Sequence, residues 1–256
     1  MNPSNDPTTN PQIRSQSTLL ALLAILLIQW NSNPTSAQES QWNHQSSIYL
    51  ITTPDGANLP EASSEENFPV LVRLHKDFFD FNTADPNGND IRFVSDGLNL
   101  PYQIEQWDAS IGNASIWVQV PKIHGNQQQE IKIHWGNTNA KSESNGAAVF
   151  NSSNHYLSVL HLDASHTDQV GLLSIKDNKT TESEGRIGPA RHLENGQGIS
   201  AGEQIEGLPI GSSSHSTEAW IRPNKPNGRV LGWGNEHAQG KVIMHFKSPP
   251  HVEMEC

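Results

Sequence analysis

Leu100-Pro-Tyr-Gln-Ile-Glu-Gln-Trp107, Ala114-Ser-Ile-Trp-Val-Gln-Val-Pro121 and Glu130-Ile-Lys-Ile-His-Trp-Gly-Asn137 decide the fold class. Tyr102 and Ile104 alternate with Gln103 and Glu105. Ile116, Val118 and Val120 alternate with Trp117 and Gln119, and Ile131, Ile133 and Trp135 with Lys132 and His134. Side chains of a strand project to opposite faces with period two, so each stretch offers one apolar face to a core. Upstream, Ser47-Ile-Tyr-Leu-Ile-Thr-Thr53 closes at the turn tripeptide Pro54-Asp-Gly56. Phe68-Pro-Val-Leu-Val-Arg-Leu74 then places Val70, Val72 and Leu74 on one face, with Pro69 suited to a strand start or a sheet edge. The turn-rich Asp85-Pro-Asn-Gly-Asn-Asp90 precedes a further strand at Ile91-Arg-Phe-Val94. Short strands separated by turns, with no amphipathic helix of useful length between them, predict an antiparallel β-sandwich over residues 45–150.

The apolar-poor stretch 137–146 marks a boundary, and a second β-rich region spans residues 155–256. Strands are expected at Tyr156-Leu-Ser-Val-Leu-His-Leu162, His192-Leu193, 199–201, Ser216-Thr-Glu-Ala-Trp-Ile-Arg222, Arg229-Val-Leu-Gly-Trp233 and Lys241-Val-Ile-Met-His-Phe246. The last residues, His251-Val-Glu-Met-Glu-Cys256, start a fresh alternation without a closing turn, so the second module is expected to be truncated. The fold class predicted is all-β: an antiparallel sandwich followed by an incomplete jelly roll.

Near the start, Arg14, the apolar run Leu19-Leu-Ala-Leu-Leu-Ala-Ile-Leu-Leu-Ile28 and Thr35-Ser-Ala37 follow the order of a secretory signal peptide, with the cut expected after Ala37. At a helical rise of about 1.5 Å the run covers about 15 Å, roughly half a hydrocarbon core. An uncleaved anchor, with Trp30 extending the run, is the alternative. No later stretch approaches spanning length, so no membrane span is expected in the mature chain. The formal net charge of -11 excludes nucleic acid as a partner, because such binding demands clustered Lys and Arg. The single cysteine, Cys256, excludes an internal disulfide.

The motifs from Phe68 to Leu74, Asp90-Ile-Arg-Phe-Val94, Leu100 to Trp107, Ile116-Trp-Val-Gln-Val-Pro121 and Ile131 to Asn137 resemble a bacterial family known only as a domain of unknown function, serial number twenty-three forty-one. The resemblance covers about residues 48–150. The following motifs, Leu160-His-Leu-Asp163, Arg186-Ile-Gly-Pro-Ala-Arg-His-Leu193 and Thr217-Glu-Ala-Trp-Ile-Arg-Pro223, are similar to the first half of a concanavalin A-like, laminin-G-type jelly roll, in which the last would supply a central strand with a buried Trp. The resemblance implies secreted or envelope proteins, and some in which this pair of modules is joined to a MotA/TolQ/ExbB-type proton channel.

Candidate sites are few. Asp85, Asn87 and Asp90 space oxygen ligands around a glycine as a Ca²⁺ loop could, and Asp163 and Asp168 could form a calcium rim; Asn, Asp and Gly also make plain turns. Trp107, Trp117 and Trp135 could stack on a sugar. Trp135 shares its strand's apolar parity and is assigned to the core, which leaves Glu105, Trp107 and Trp117 as the face for ligand binding. The twelve histidines show no metal-ligand spacing. Glu253 and Glu255 have the period-two spacing of a jelly-roll glycosidase, but Met254 stands where an acid usually lies. No nucleophile elbow or phosphate loop is visible. The function expected is non-catalytic binding, secreted or periplasmic, with a glycan or an envelope protein as partner and no cofactor beyond a possible Ca²⁺. The alternatives are the extracytoplasmic sensing part of an ExbB/TolQ-like channel protein and a glycoside hydrolase fragment.

Overall fold

A computed structural model describes residues 41–209, 213–235, 240–248 and 251–255. The leader expected at 1–37 and Cys256 lie outside these residues.

Seven strands build the sandwich: β1 (His44–Ile51), β2 (Ser64–His75), β3 (Arg92–Ser95), β4 (Leu98–Leu100), β5 (Tyr102–Asp108), β6 (Asn113–His124) and β7 (Gln128–Trp135). They form two antiparallel sheets, ordered β1-β7-β3-β4 and β2-β6-β5. The register follows the apolar alternation: Ile48 lies opposite Ile131, Phe93 opposite Ile133, Val72 opposite Ile116 and Tyr102 opposite Val118. A one-residue slip would turn each set toward solvent, so burial of one face fixes the pairing. Ile91, Phe93, Ile116 and Val118 are fully buried, and side chains from both sheets join one apolar cluster. Burying each such side chain stabilises the fold by about 1.5–3 kcal/mol.

One irregularity changes the faces. Ile104 pairs with Ile116 and Gln106 with Ser115, so Glu105 is an extra residue with no counterpart on β6. An extra residue in one strand of a pair shifts the alternation by one. Trp107 therefore lies opposite Ala114, turned into the core rather than onto the face of Glu105 and Trp117. There it meets Phe81 and Phe79 edge-on, at 5.2 and 6.0 Å between ring centres. Trp135 occupies the core as its parity predicts. It packs on Phe79 at 4.8 Å, and its Nε1 donates to Thr83 Oγ1 at 2.8 Å.

After Asp168 the strands are shorter. β8 (Lys176–Asn178) pairs with β11 (Gly198–Ser200), β9 (Thr181–Glu184) with β10 (Pro189–His192), and β12 (Gly228–Gly234), β13 (Lys241–Lys247) and β14 (His251–Glu255) form a three-stranded sheet. Two expected strands differ. Residues 156–162 make only a single bridge, Leu160 to Asp168, and residues 216–222 form no strand. Trp220, expected to be buried on that strand, is 80% exposed. An extended segment becomes a strand only when a neighbour takes its backbone hydrogen bonds, and no described strand lies beside this one.

Candidate functional site

The outer face of β5 and β6 carries Gln103, Glu105, Trp117 and Gln119. It is covered rather than open. The covering segment, residues 144–161, is pinned along the edge of β5, where Ser144 Oγ accepts from Ile104 N at 2.9 Å and Asn145 N donates to Tyr102 O at 2.8 Å. The Asn145 side chain then caps the single helical turn Gly146–Val149 by accepting from Ala148 N. Gly146 packs against the Gln103 and Gln169 side chains: a Cβ there would lie 2.0 Å from Gln169 Oε1 and 2.9 Å from the Gln103 amide, so those side chains would have to move. The carbonyl of Val149 accepts from Gln119 Nε2 at 3.1 Å, which fixes the turn to β6.

Beneath this segment lies a polar cluster. Trp117 Nε1 donates to Glu105 Oε2 at 2.5 Å, and His161 Nδ1 lies 3.2 Å from Glu105 Oε1. The other nitrogen of His161 lies 3.0 Å from Gln103 Oε1. The side chains of Glu105 and His161 are each only 9% exposed. Phe150 closes the cluster, meeting Trp117, Tyr156 and His161 edge-on. The ligand-binding face expected at Glu105, Trp107 and Trp117 is thus divided: two of its members lie under a strap, and the third is on the opposite side of the sheet. Chemically the cluster is a latch. A buried carboxylate that accepts from an indole and an imidazole is satisfied in place, and it holds His161 and its segment against the sheet.

A second buried anchor holds the preceding loop. Arg92, on the other sheet, donates to Ile91 O at 2.6 Å, Tyr102 Oη at 3.2 Å and Lys141 O at 2.8 Å, and forms an ion pair with Glu143 at 2.7 Å. Burial raises the pKa of the Tyr102 hydroxyl above the ordinary range, an effect the Arg92 charge opposes.

The carboxylates proposed for calcium have other partners. Asp85 Oδ1 accepts from Asn87 N at 2.8 Å and Asn89 Nδ2 at 3.0 Å. The buried carboxylate of Asp90 accepts from Asp85 N and Gly136 N, both at 2.8 Å, closing the loop and tying it to the end of β7. Asn87 contributes its backbone N–H to this turn. Asp163 Oδ1 accepts from Ser165 N and Oγ, at 2.9 and 2.6 Å. Asp168, 5% exposed, accepts from Val159 N, Val170 N and Leu173 N. These oxygens face N–H and O–H donors, which present positive charge where a cation would have to sit. Among the described residues no group of three or more His, Cys, Asp or Glu is placed to hold a metal ion. Glu253 is engaged in an ion pair with Lys247, which lowers its pKa.

The open surface is elsewhere, at the end of the sandwich where β2 runs out and the β5–β6 hairpin turns. Lys76 N donates to Gly112 O at 2.9 Å, which sets the loop after β2 beside the hairpin turn. Phe78 on the first loop is 72% exposed and Ile111 on the second 55%. Phe79, which follows Phe78 in the chain, packs in the core with Phe81, Trp107 and Trp135 as an aromatic base. Gly88, at φ +70°, completes that base: a Cβ there would lie 2.6 Å from the Trp107 ring. Alternation could not reveal this surface, because Phe78 and Ile111 lie in turns rather than on strands.

Residues 87–168 match the model of a family described as a domain of unknown function (DUF2341). No curated protein and no solved structure matches the chain. The match begins within the Asp85–Asp90 turn, so residues 48–86 of the resemblance, with the motif Phe68 to Leu74, lie outside it, and it runs through the latch segment to Asp168. The matched residues include the strap over β5 and β6 and the strands it covers.

Proposed function

We propose that the protein is a non-catalytic binding module that works outside the cytoplasm and engages a protein of the cell envelope through the loop end of its sandwich. The observation that carries this reading is the pair Phe78 and Ile111, two large exposed apolar side chains on loops that the Lys76–Gly112 hydrogen bond ties together. Single exposed apolar side chains are ordinary on a protein surface, but two on loops tied to each other suit a partner that covers both, and loops at a sandwich end are the usual place for recognition. The leader-like order of Arg14, residues 19–28 and Thr35-Ser-Ala37 supports the location. Among the described residues no helix is long and apolar enough to cross a membrane. A photo-crosslinking residue at position 78 is expected to give a discrete adduct with an envelope protein in cells, and Ile111→Asp is expected to abolish it. The same residue at the exposed Glu66, near the start of β2 and so at the other end of that strand, should give none. Equal adducts at both positions would sink the reading.

Glycan binding is favoured by a different observation. Trp220 presents an indole that is 80% exposed, in the region whose motifs resemble a concanavalin A-like domain. Binding on a glycan array that Trp220→Ala removes would favour that reading. An array without binding would remove it.

A further inference from the structure

A sheet edge is a row of unpaired N–H and C=O groups that attracts further strands unless something blocks it. The two sheets of the sandwich end in β1, β4, β2 and β5. β4 is only three residues long. β5 is covered by Ser144 and Asn145. β2 carries Pro69, Glu65, Glu66 and Arg73, and its Asn67, at φ 51°, accepts from Asn154 Nδ2 at 3.0 Å.

β1 has none of these devices. Its eight residues, His44–Ile51, include no Pro, Gly, Lys, Arg, Asp or Glu. Thr52 N donates to Gln127 O at 2.9 Å, so the backbone of residue 52 points toward the β7 side. Along an antiparallel strand successive residues point their N–H and C=O alternately to the two sides. The groups of Gln45, Ser47 and Tyr49 therefore point away from β7. Ile51 agrees with this parity, because its carbonyl accepts from Ala57 N at 2.9 Å, and the turn carrying Ala57 closes the edge at that point. Gln45, Ser47 and Tyr49 have no backbone partner on this side among the described residues, and Tyr49 is 53% exposed.

We propose that this edge pairs with β1 of a second copy of the chain, antiparallel, about a two-fold axis through Ser47. The open groups are symmetric about that residue. On such an axis Gln45 faces Tyr49 of the partner subunit, Ser47 faces Ser47 of the partner subunit, and every outward N–H and C=O of the three residues finds a counterpart. The strand is uncharged, so pairing with itself sets no like charges opposite one another. The two-fold joins the sheets β1-β7-β3-β4 of two copies into one continuous sheet, the isologous arrangement common in homodimers.

Sedimentation velocity of the purified full chain is expected to give the dimer mass. Ser47→Pro removes an outward N–H and leaves the β1–β7 ladder intact, so this variant is expected to sediment as a monomer with an unchanged circular dichroism spectrum. In a Cys256→Ser background, Ser47→Cys is expected to form an intermolecular disulfide, whereas Arg73→Cys is not. A wild-type chain that stays monomeric at its highest soluble concentration would overturn the proposal. So would a Ser47→Cys variant that fails to cross-link while Arg73→Cys does so. If Ser47→Pro does not fold, the cross-linking pair decides alone.

Discussion

Replacing His161 by alanine is expected to destabilise the sandwich by about 3 kcal/mol and to release the strap over β5 and β6. Glu105 loses one of its two partners in the substitution, while its carboxylate stays in a site that is 9% exposed. A buried group that loses a hydrogen-bond partner costs about 1–3 kcal/mol, and the upper end applies because the acceptor is a carboxylate. Trp117 Nε1 still donates to Glu105, which keeps the loss from going higher. The release should be local before it is global: amides of residues 149–161 should exchange hydrogen faster, and proteases should cut there first. Urea denaturation with exchange mass spectrometry checks both. The triple variant Glu105→Leu, His161→Leu and Trp117→Phe should recover part of the loss, because it removes the buried carboxylate together with both of its donors. A His161→Ala variant with the wild-type midpoint and unchanged exchange would show that the cluster holds nothing.

The loss expected for Asp90→Ala is about as large. Its carboxylate, 3% exposed, takes the N–H groups of Asp85 and Gly136. Alanine leaves both donors without a partner, at about 1–3 kcal/mol each, or about 4 kcal/mol together. The turn also carries Gly88 against the Trp107 ring, so the aromatic base should loosen with it. Thermal melting, with near-ultraviolet circular dichroism following the tryptophans, reads both effects. The same melts separate a hydrogen-bonded turn from a calcium loop. Added Ca²⁺ and added chelator are each expected to leave the wild-type midpoint unchanged; a Ca²⁺-dependent rise that Asp90→Ala abolishes would restore the metal reading.

The strands of the sandwich were legible because period-two alternation is a local property of the chain. Val72, Ile116, Val118, Ile131 and Ile133 announce a buried face whatever their neighbours are, and the buried faces then set the register. The aromatic positions were not legible in the same way. Trp107 has the parity of Glu105 and reads as outward, and only the pairing with β6 shows that Glu105 is an extra residue that turns Trp107 inward. His161 lies 56 positions from Glu105 along the chain and has no local mark of its role. Trp220 shows the converse, an alternating segment with no neighbour to make it a strand.

The sequence by itself determined the all-β class, the antiparallel strands of the sandwich, most of its core and a strongly acidic balance. These follow from local alternation and composition, which need no knowledge of what lies across the sheet. Only the tertiary structure decided that the outer face of β5 and β6 is strapped down, that the aspartates of 85–90 bond within a turn, that Phe78 and Ile111 are exposed, and that Gln45, Ser47 and Tyr49 of β1 have no outward backbone partner among the described residues. Exposure is fixed by what the rest of the chain places on a surface, and segments far apart in sequence meet there only when the sheets have formed.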